Sequence, residues 1–160
     1  MKKHLVILTI LACVLLTACM NTPKLLTDTQ KTDIEKQVLE QWSKITAAVE
    51  KADAGTYSAF LSNDGFLGMY SQGMQFVSRA QYADSVKSWF NVRTSSELQQ
   101  KEIKISVLAG DLALLDQKSL FIAHMKDGSS GRCNHVVSFV FRKEAGSWMI
   151  IHGHESWKDL

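Results

Sequence analysis

The sequence predicts an α+β fold: a cone-shaped curved antiparallel sheet with about three helices on one face, in the order ααββαββββ. Three observations carry this. Apolar residues recur at helical spacing from Ile34 to Ala52, and a second helical stripe runs from Tyr82 to Phe90. From Ser96 onward the period falls to two through four successive segments. Helices thus dominate the first half and strands the second. Such segregation places helices against one face of an antiparallel sheet.

Thr32 followed by Glu35 fits a capping box, and Ile34, Val38, Trp42, Ile45, Val49 and Ala52 then form the core stripe of an amphipathic helix. Gly55 interrupts it, and Thr56 to Leu61 offers Tyr57, Phe60 and Leu61 as the apolar side of a short second helix. Asn63-Asp64-Gly65 is a turn. Phe66–Tyr70 and Met74–Val77 flank Ser71-Gln72-Gly73 as a hairpin. Ser78 with Gln81 makes a second capping pair ahead of Tyr82, Val86, Trp89 and Phe90. Ile103, Ile105 and Val107 then alternate with polar residues, and Leu112–Met125 is long enough for a bent strand. Arg132–Lys143 and Trp148–Trp157 are the last two strands, around the turn 144–147. Closing such a sheet around its helices leaves a cone.

The N-terminus carries a different message. Met1-Lys2-Lys3, the apolar run Leu5–Leu16 and the small residues Thr17-Ala18 have the order of a secretory signal. The run is shorter than the roughly 20 residues that span a membrane. Leu16-Thr17-Ala18-Cys19 resembles the lipobox of bacterial lipoproteins, which implies a lipid on Cys19. By the same resemblance, Met20 in place of an aspartate implies outer-membrane sorting, with the domain facing the periplasm. The expected organisation is a signal peptide over 1–18, a tether over 19–31 and a single domain over 32–160. Without Lys2 and Lys3, the 18 Lys+Arg fall to equal the 16 Asp+Glu, which argues against a nucleic-acid surface. Of the three cysteines, the resemblance implies that Cys13 would leave with the signal and Cys19 would be acylated. Cys133 alone would then remain as a thiol, expected to be a small buried hydrophobe, and an internal disulfide is not expected.

Three stretches resemble the nuclear transport factor 2-like superfamily, which includes the SnoaL-like cyclases and the association domain of calmodulin-dependent kinase. They are Trp42–Asp53, Leu61–Gly65 and the terminal Trp148-Met149-Ile150-Ile151-His152-Gly153-His154-Glu155-Ser156. The resemblance covers roughly Ile34 to Trp157, and it implies a cone-shaped fold whose members include enzymes, ligand carriers and assembly modules. Association-domain members carry an arginine facing the cavity between the second histidine and the serine, where this chain has Glu155. The first helix has Trp42 but no tyrosine, so the acid pair of the ketosteroid isomerases is not visible. No complete catalytic set transfers residue by residue.

Candidate ligand-binding residues are Tyr70, Trp89, His124 and Glu155. Tyr70, Met74, Phe76, Trp89 and Phe90 supply aromatic and thioether surface around the cone. His124 with Asp64 suits proton transfer at a carbonyl compound. By the resemblance, Met149, Ile151, Gly153 and Glu155 line the cone, with Gly153 leaving space beside the carboxylate. Strict alternation then puts Trp148, Ile150, His152, His154 and Ser156 on one outer face, a surface for a homodimer. His152 and His154 with His135 form an alternative zinc reading, while no metal or other cofactor is the main expectation. The leading functional expectation is a lipid-anchored envelope protein with a small-molecule-binding or accessory domain. A cofactor-independent isomerase, cyclase or dehydratase is the alternative, followed by a structural dimerisation module.

Overall fold

The computed structural model describes residues 25–160, so the signal segment, Cys19 and the first part of the tether lie outside the described residues. Helix α1 spans Asp28–Glu50. Thr27 caps it: its Oγ1 accepts from the Gln30 N–H at 3.2 Å, and Gln30 Oε1 accepts from the Thr27 N–H at 2.9 Å. The helix therefore starts about one turn before the expected Thr32–Glu35 box, because Thr27–Gln30 has the same three-residue spacing and Asp28 favours the positive end of the helix dipole. Its apolar stripe buries Ile34, Val38, Trp42, Ile45 and Ala48. Helix α2, Ala54–Ala59, is capped by Asp53, and α3, Arg79–Asn91, by Ser78. No helix among the described residues is long and apolar enough to cross a membrane.

The strands are β1 Gly68–Ser71, β2 Met74–Phe76, β3 Arg93–Ala109, β4 Leu112–Met125, β5 Ser130–Glu144 and β6 Ser147–Asp159. The element order is ααββαββββ, as expected. The sheet is not. It is a single open sheet in the order β2-β1-β6-β5-β4-β3, and it is mixed, because β1 runs parallel to β6. It is not a strongly curled cone, and the expectation of a purely antiparallel, closed surface is corrected. Period-two alternation records which face a residue takes and is silent on strand direction. Direction is set by a local clamp: Ser62 N–H donates to Ile150 O at 2.9 Å and Ile150 N–H to Phe60 O at 2.8 Å. This fixes Leu61 beside Ile150 in the parallel sense, which β1 continues at Gly68 beside His152.

A β-bulge in β6 decides which residues face the helices. Phe141 pairs with Ile150 and Val140 with His152, so Ile151 is one residue too many. Before the bulge Trp148 and Ile150 enter the core; after it Gly153 and Glu155 sit opposite the inward Phe139 and Val137. The expected outer face of strict alternation therefore loses Trp148 and Ile150. Gly153 also differs from expectation: a Cβ there would lie 2.2 Å from Phe139 Cδ1 and 2.8 Å from Met69 Sδ. Its missing side chain makes room for core neighbours and not for a ligand.

Gly153→Ala is expected to destabilise the domain by about 1–3 kcal/mol, because the methyl group must displace a fully buried ring. Urea denaturation measures it. An unchanged midpoint would show that Phe139 yields without cost.

Candidate functional site

A cavity opens between the three helices and the inward face of β3 to β6. Its empty space is about 440 Å³, mouth included, of which about 40 Å³ can hold the centre of a water molecule. Its apolar walls include the rings of Trp42, Trp89, Phe90, Phe121, Phe139 and Trp157. Against this apolar lining stand five polar side chains: Tyr57, Tyr82, Arg93, His135 and Glu155.

Glu155 is 8% exposed, placed inward by the bulge. Its Oε2 accepts from Ser71 Oγ–H at 3.2 Å, and its Oε1 from Tyr82 O–H at 3.2 Å. Ser71 arrives because parallel pairing sets it directly beside Glu155. Burial pushes the carboxyl up to about 7, against the opposing pull of Ser71, Tyr82 and Arg93. Tyr57 and Tyr82 hydroxyls lie 3.0 Å apart. With Tyr82 donating to the carboxylate, Tyr57 donates to Tyr82, so a chain of hydroxyls runs from α2 through α3 to β6. Burial first, then the Glu155 charge, holds both phenols well above 10, so they act as donors and not as anions.

Arg93 is half-buried at the start of β3. Its guanidinium lies 5.0 Å from the Phe121 ring centre, 5.2 Å from that of Trp89 and 5.9 Å from that of Phe90. Burial lowers its pKa from the ordinary value, yet arginine remains a cation in proteins. His135 stacks on Trp157 with ring centres 4.4 Å apart and planes 18° apart. Burial first, then Arg93, lowers it to about 4, so the imidazole is neutral at pH 7. Its Nδ1 is 3.4 Å from Ser119 Oγ, and its Nε2 has no partner among the described residues.

Of the four expected ligand-binding residues, Trp89 and Glu155 line the cavity. Tyr70 does not: it is 41% exposed, meets His152 edge-on and accepts from Gln75 Nε2–H at 2.8 Å. Its neighbours Met69 and Ser71 take the inward positions. His124 lies on the solvent side, 3.0 Å from Glu97 Oε1, and Asp64 is exposed in its turn, so the expected Asp64–His124 pair is not assembled. Met74 is also exposed, whereas Phe76 packs edge-on against Tyr82. His135 is buried in the cavity but His152 and His154 are not, and no cluster suited to a metal ion occurs among the described residues.

Tyr57 and Tyr82 were legible only as members of apolar stripes, and Arg93 precedes the expected start of the first long strand. The tyrosines absent from the first helix come from the second and third. Where the resemblance implies a cavity-facing arginine this chain has Glu155, and a guanidinium reaches the cavity from Arg93 on β3.

Glu155 and His135 titrate in opposite senses. Glu155 is raised from 4.5 to about 7, so its stabilising contribution is complete below pH 4.5 and lost as pH rises through 7. His135 is lowered from 6.5 to about 4, so its contribution is present above pH 6.5 and lost as pH falls through 4. Between these limits the slopes oppose, and the wild-type free energy of unfolding is expected to stay nearly flat. In Glu155→Gln the histidine slope is exposed, and stability should rise from pH 4.5 to 6.5 by up to about 3 kcal/mol. Urea titrations at three pH values read this; a flat profile in the variant would contradict it.

Comparison with known proteins agrees with this architecture. A protein from Streptomyces avermitilis, proposed to be a dehydratase of the NTF2-like family, superposes with a TM-score of 0.68 at 19% identity, covering 79% of this chain and 97% of its own. Hexachlorocyclohexane dehydrochlorinase LinA-type3 from Novosphingobium barchaimii LL02 gives 0.66 at 11% identity, covering 84% and 94%. A Xanthomonas campestris protein, proposed to be a calcium/calmodulin-dependent protein kinase II association domain, gives 0.67 at 18%, covering 77% and 86%. No curated protein matches the sequence. At these identities the likeness is one of fold. The profile of the SnoaL-like domain matches residues 36–159, nearly all of the folded part, and the chain belongs to that family.

Proposed function

We propose that the domain is a cofactor-independent acid–base enzyme of the dehydratase or isomerase type, acting on a small carbonyl compound. The observation that carries this is Glu155: a carboxyl buried in an aromatic cavity, hydrogen-bonded to Ser71 and Tyr82, with its pKa pushed up to about 7. At neutral pH it is present both as base and as acid. Its carboxylate takes a proton from the carbon beside the carbonyl, leaving an enolate. The resulting carboxylic acid returns that proton to a departing hydroxyl, which leaves as water, or to another carbon, which isomerises the substrate. Tyr82, supported by Tyr57, donates to the carboxylate and orients it. Arg93, held among rings at the cavity wall, supplies positive charge that holds the substrate in a site with little water. The fold shared with proteins named as a dehydratase and a dehydrochlorinase supports this over the expected binding or accessory role.

The test is exchange of carbon-bound hydrogen for solvent deuterium in a panel of cyclic ketones and β-hydroxy carbonyl compounds, followed by proton NMR. Glu155→Gln should slow the exchange by at least about a hundredfold. Equal rates in both proteins overturn the assignment.

A second part of the proposal is location: the domain is held in the cell envelope by a lipid on Cys19, supported by the Leu16–Cys19 motif. Cys19→Ala should lose acyl labelling and leave the membrane fraction or remain an unprocessed precursor. Labelling that persists in this variant would end the lipid assignment. Light scattering on the mature domain tests the expected homodimer, for which Tyr70 and Val136, each 41% exposed, remain as apolar surface.

A further inference from the structure

We infer that the cavity contains an anion subsite, formed by Arg93 with Trp157 and His135, that takes the carboxylate of a planar substrate. This names the substrate class of the proposed acid–base site and rests on that reading.

Arg93 is the starting point. A guanidinium presents five N–H donors, yet among the described residues none donates to a side chain or carbonyl, and no carboxylate pairs with it. Three rings with centres 5.0–5.9 Å from the guanidinium carbon offset part of the cost of withdrawing the charge from water, but accept no hydrogen bond from its in-plane donors. A half-buried guanidinium with free donors is matched by a planar anion that accepts two parallel N–H bonds.

Two further groups beside it are also unsatisfied. Trp157 Nε1–H is buried without an acceptor, and an indole can only donate. His135 Nε2, on the ring stacked against Trp157, is buried without a partner as well. Buried polar groups in native proteins are paired in the large majority, so two orphans on adjoining rings point to a bound molecule. Ser119 Oγ, 3.4 Å from Nδ1, can donate there and fix the tautomer that leaves Nε2 carrying its hydrogen.

Position links the subsite to the chemistry. An outer depression open to solvent shares Trp89, Arg93, Phe121 and Trp157 with the inner cavity, so Arg93 stands at their junction. Glu155 stands inside, unpaired with Arg93. A ligand can therefore place its carboxylate at the junction and its reacting carbon toward Glu155. Trp89, Phe121 and Trp157 pack directly on one another here, with ring centres 4.5 Å apart for Trp89 and Trp157 and 5.6 Å for Phe121 and Trp157, so aromatic surface flanks the junction.

Benzoate and its neutral counterpart benzamide separate charge from shape. Titrations of the folded domain are followed in ¹H–¹⁵N spectra by the indole N–H signals of its four tryptophans. Benzoate should bind on the order of tenfold more tightly than benzamide and move the Trp157 signal most. Arg93→Gln should abolish the preference and Arg93→Lys keep part of it. Equal affinities in the wild type, a preference that survives Arg93→Gln, or no saturable shift by about 20 mM, the range of so small a ligand, each overturn the subsite. Should Arg93→Gln fail to fold, the wild-type pair and Arg93→Lys decide. The titration is repeated in Glu155→Gln. A benzoate preference there upholds the subsite even if Glu155 proves catalytically inert, whereas Glu155-dependent exchange on neutral ketones with no benzoate preference overturns the subsite alone.

Discussion

The constraint on which the site depends is the burial of one carboxyl group where four elements meet. Glu155 comes from β6, Ser71 from β1, Tyr82 from α3, and Tyr57 behind it from α2. A carboxylate in an apolar interior is costly unless hydrogen bonds reach it, and here two hydroxyls do. Because each arrives from a different element, the parallel pairing of β1 with β6 and the seating of α3 must both be correct for Glu155 to be tolerated. The hydrogen bonds that make the carboxyl tolerable also tune it, since they favour its charged form while burial favours the neutral one.

Two backbone features create that meeting point. The Ile151 bulge turns the inward side of β6 by one residue, so the strand delivers Trp148 and Ile150 to the core and Glu155 to the cavity. The clamp between Phe60, Ser62 and Ile150 brings the chain onto β6 in the parallel sense. A second small network reinforces it: Ser62 Oγ–H donates to the Glu144 carboxylate and accepts from Gly65 N–H, while Arg142 donates to the same carboxylate. Gly65 is tightly enclosed, since a Cβ there would meet the Arg142 guanidinium. These polar contacts lie away from the cavity and hold the segment that leads into β1.

The cavity separates its charges by environment. One guanidinium sits among ring faces, one carboxyl among hydroxyls, and a neutral imidazole lies flat on an indole. None of these is neutralised by direct ion pairing with another. In a low-dielectric site, separated charges and unused donors keep their strength.

The element order, the helical faces and much of the long-strand placement were legible in the residues, because burial imposes periods of 3.6 and two that survive in a single sequence. Glu155 and Trp89 were legible as cavity residues, the first through its place in a terminal strand that resembles a known family. Tyr57, Tyr82 and Arg93 were not, since an inward tyrosine at a core position reads as apolar filling, and an arginine beside a helix end reads as surface. Tyr70 and His124 were misplaced because adjacent strand residues differ only in parity. The parallel partner of β1, the bulge at Ile151 and the convergence on Glu155 depend on contacts between residues as far apart as Ser71 and Glu155. Local periodicity carries no record of such pairings, and only the tertiary structure decides them.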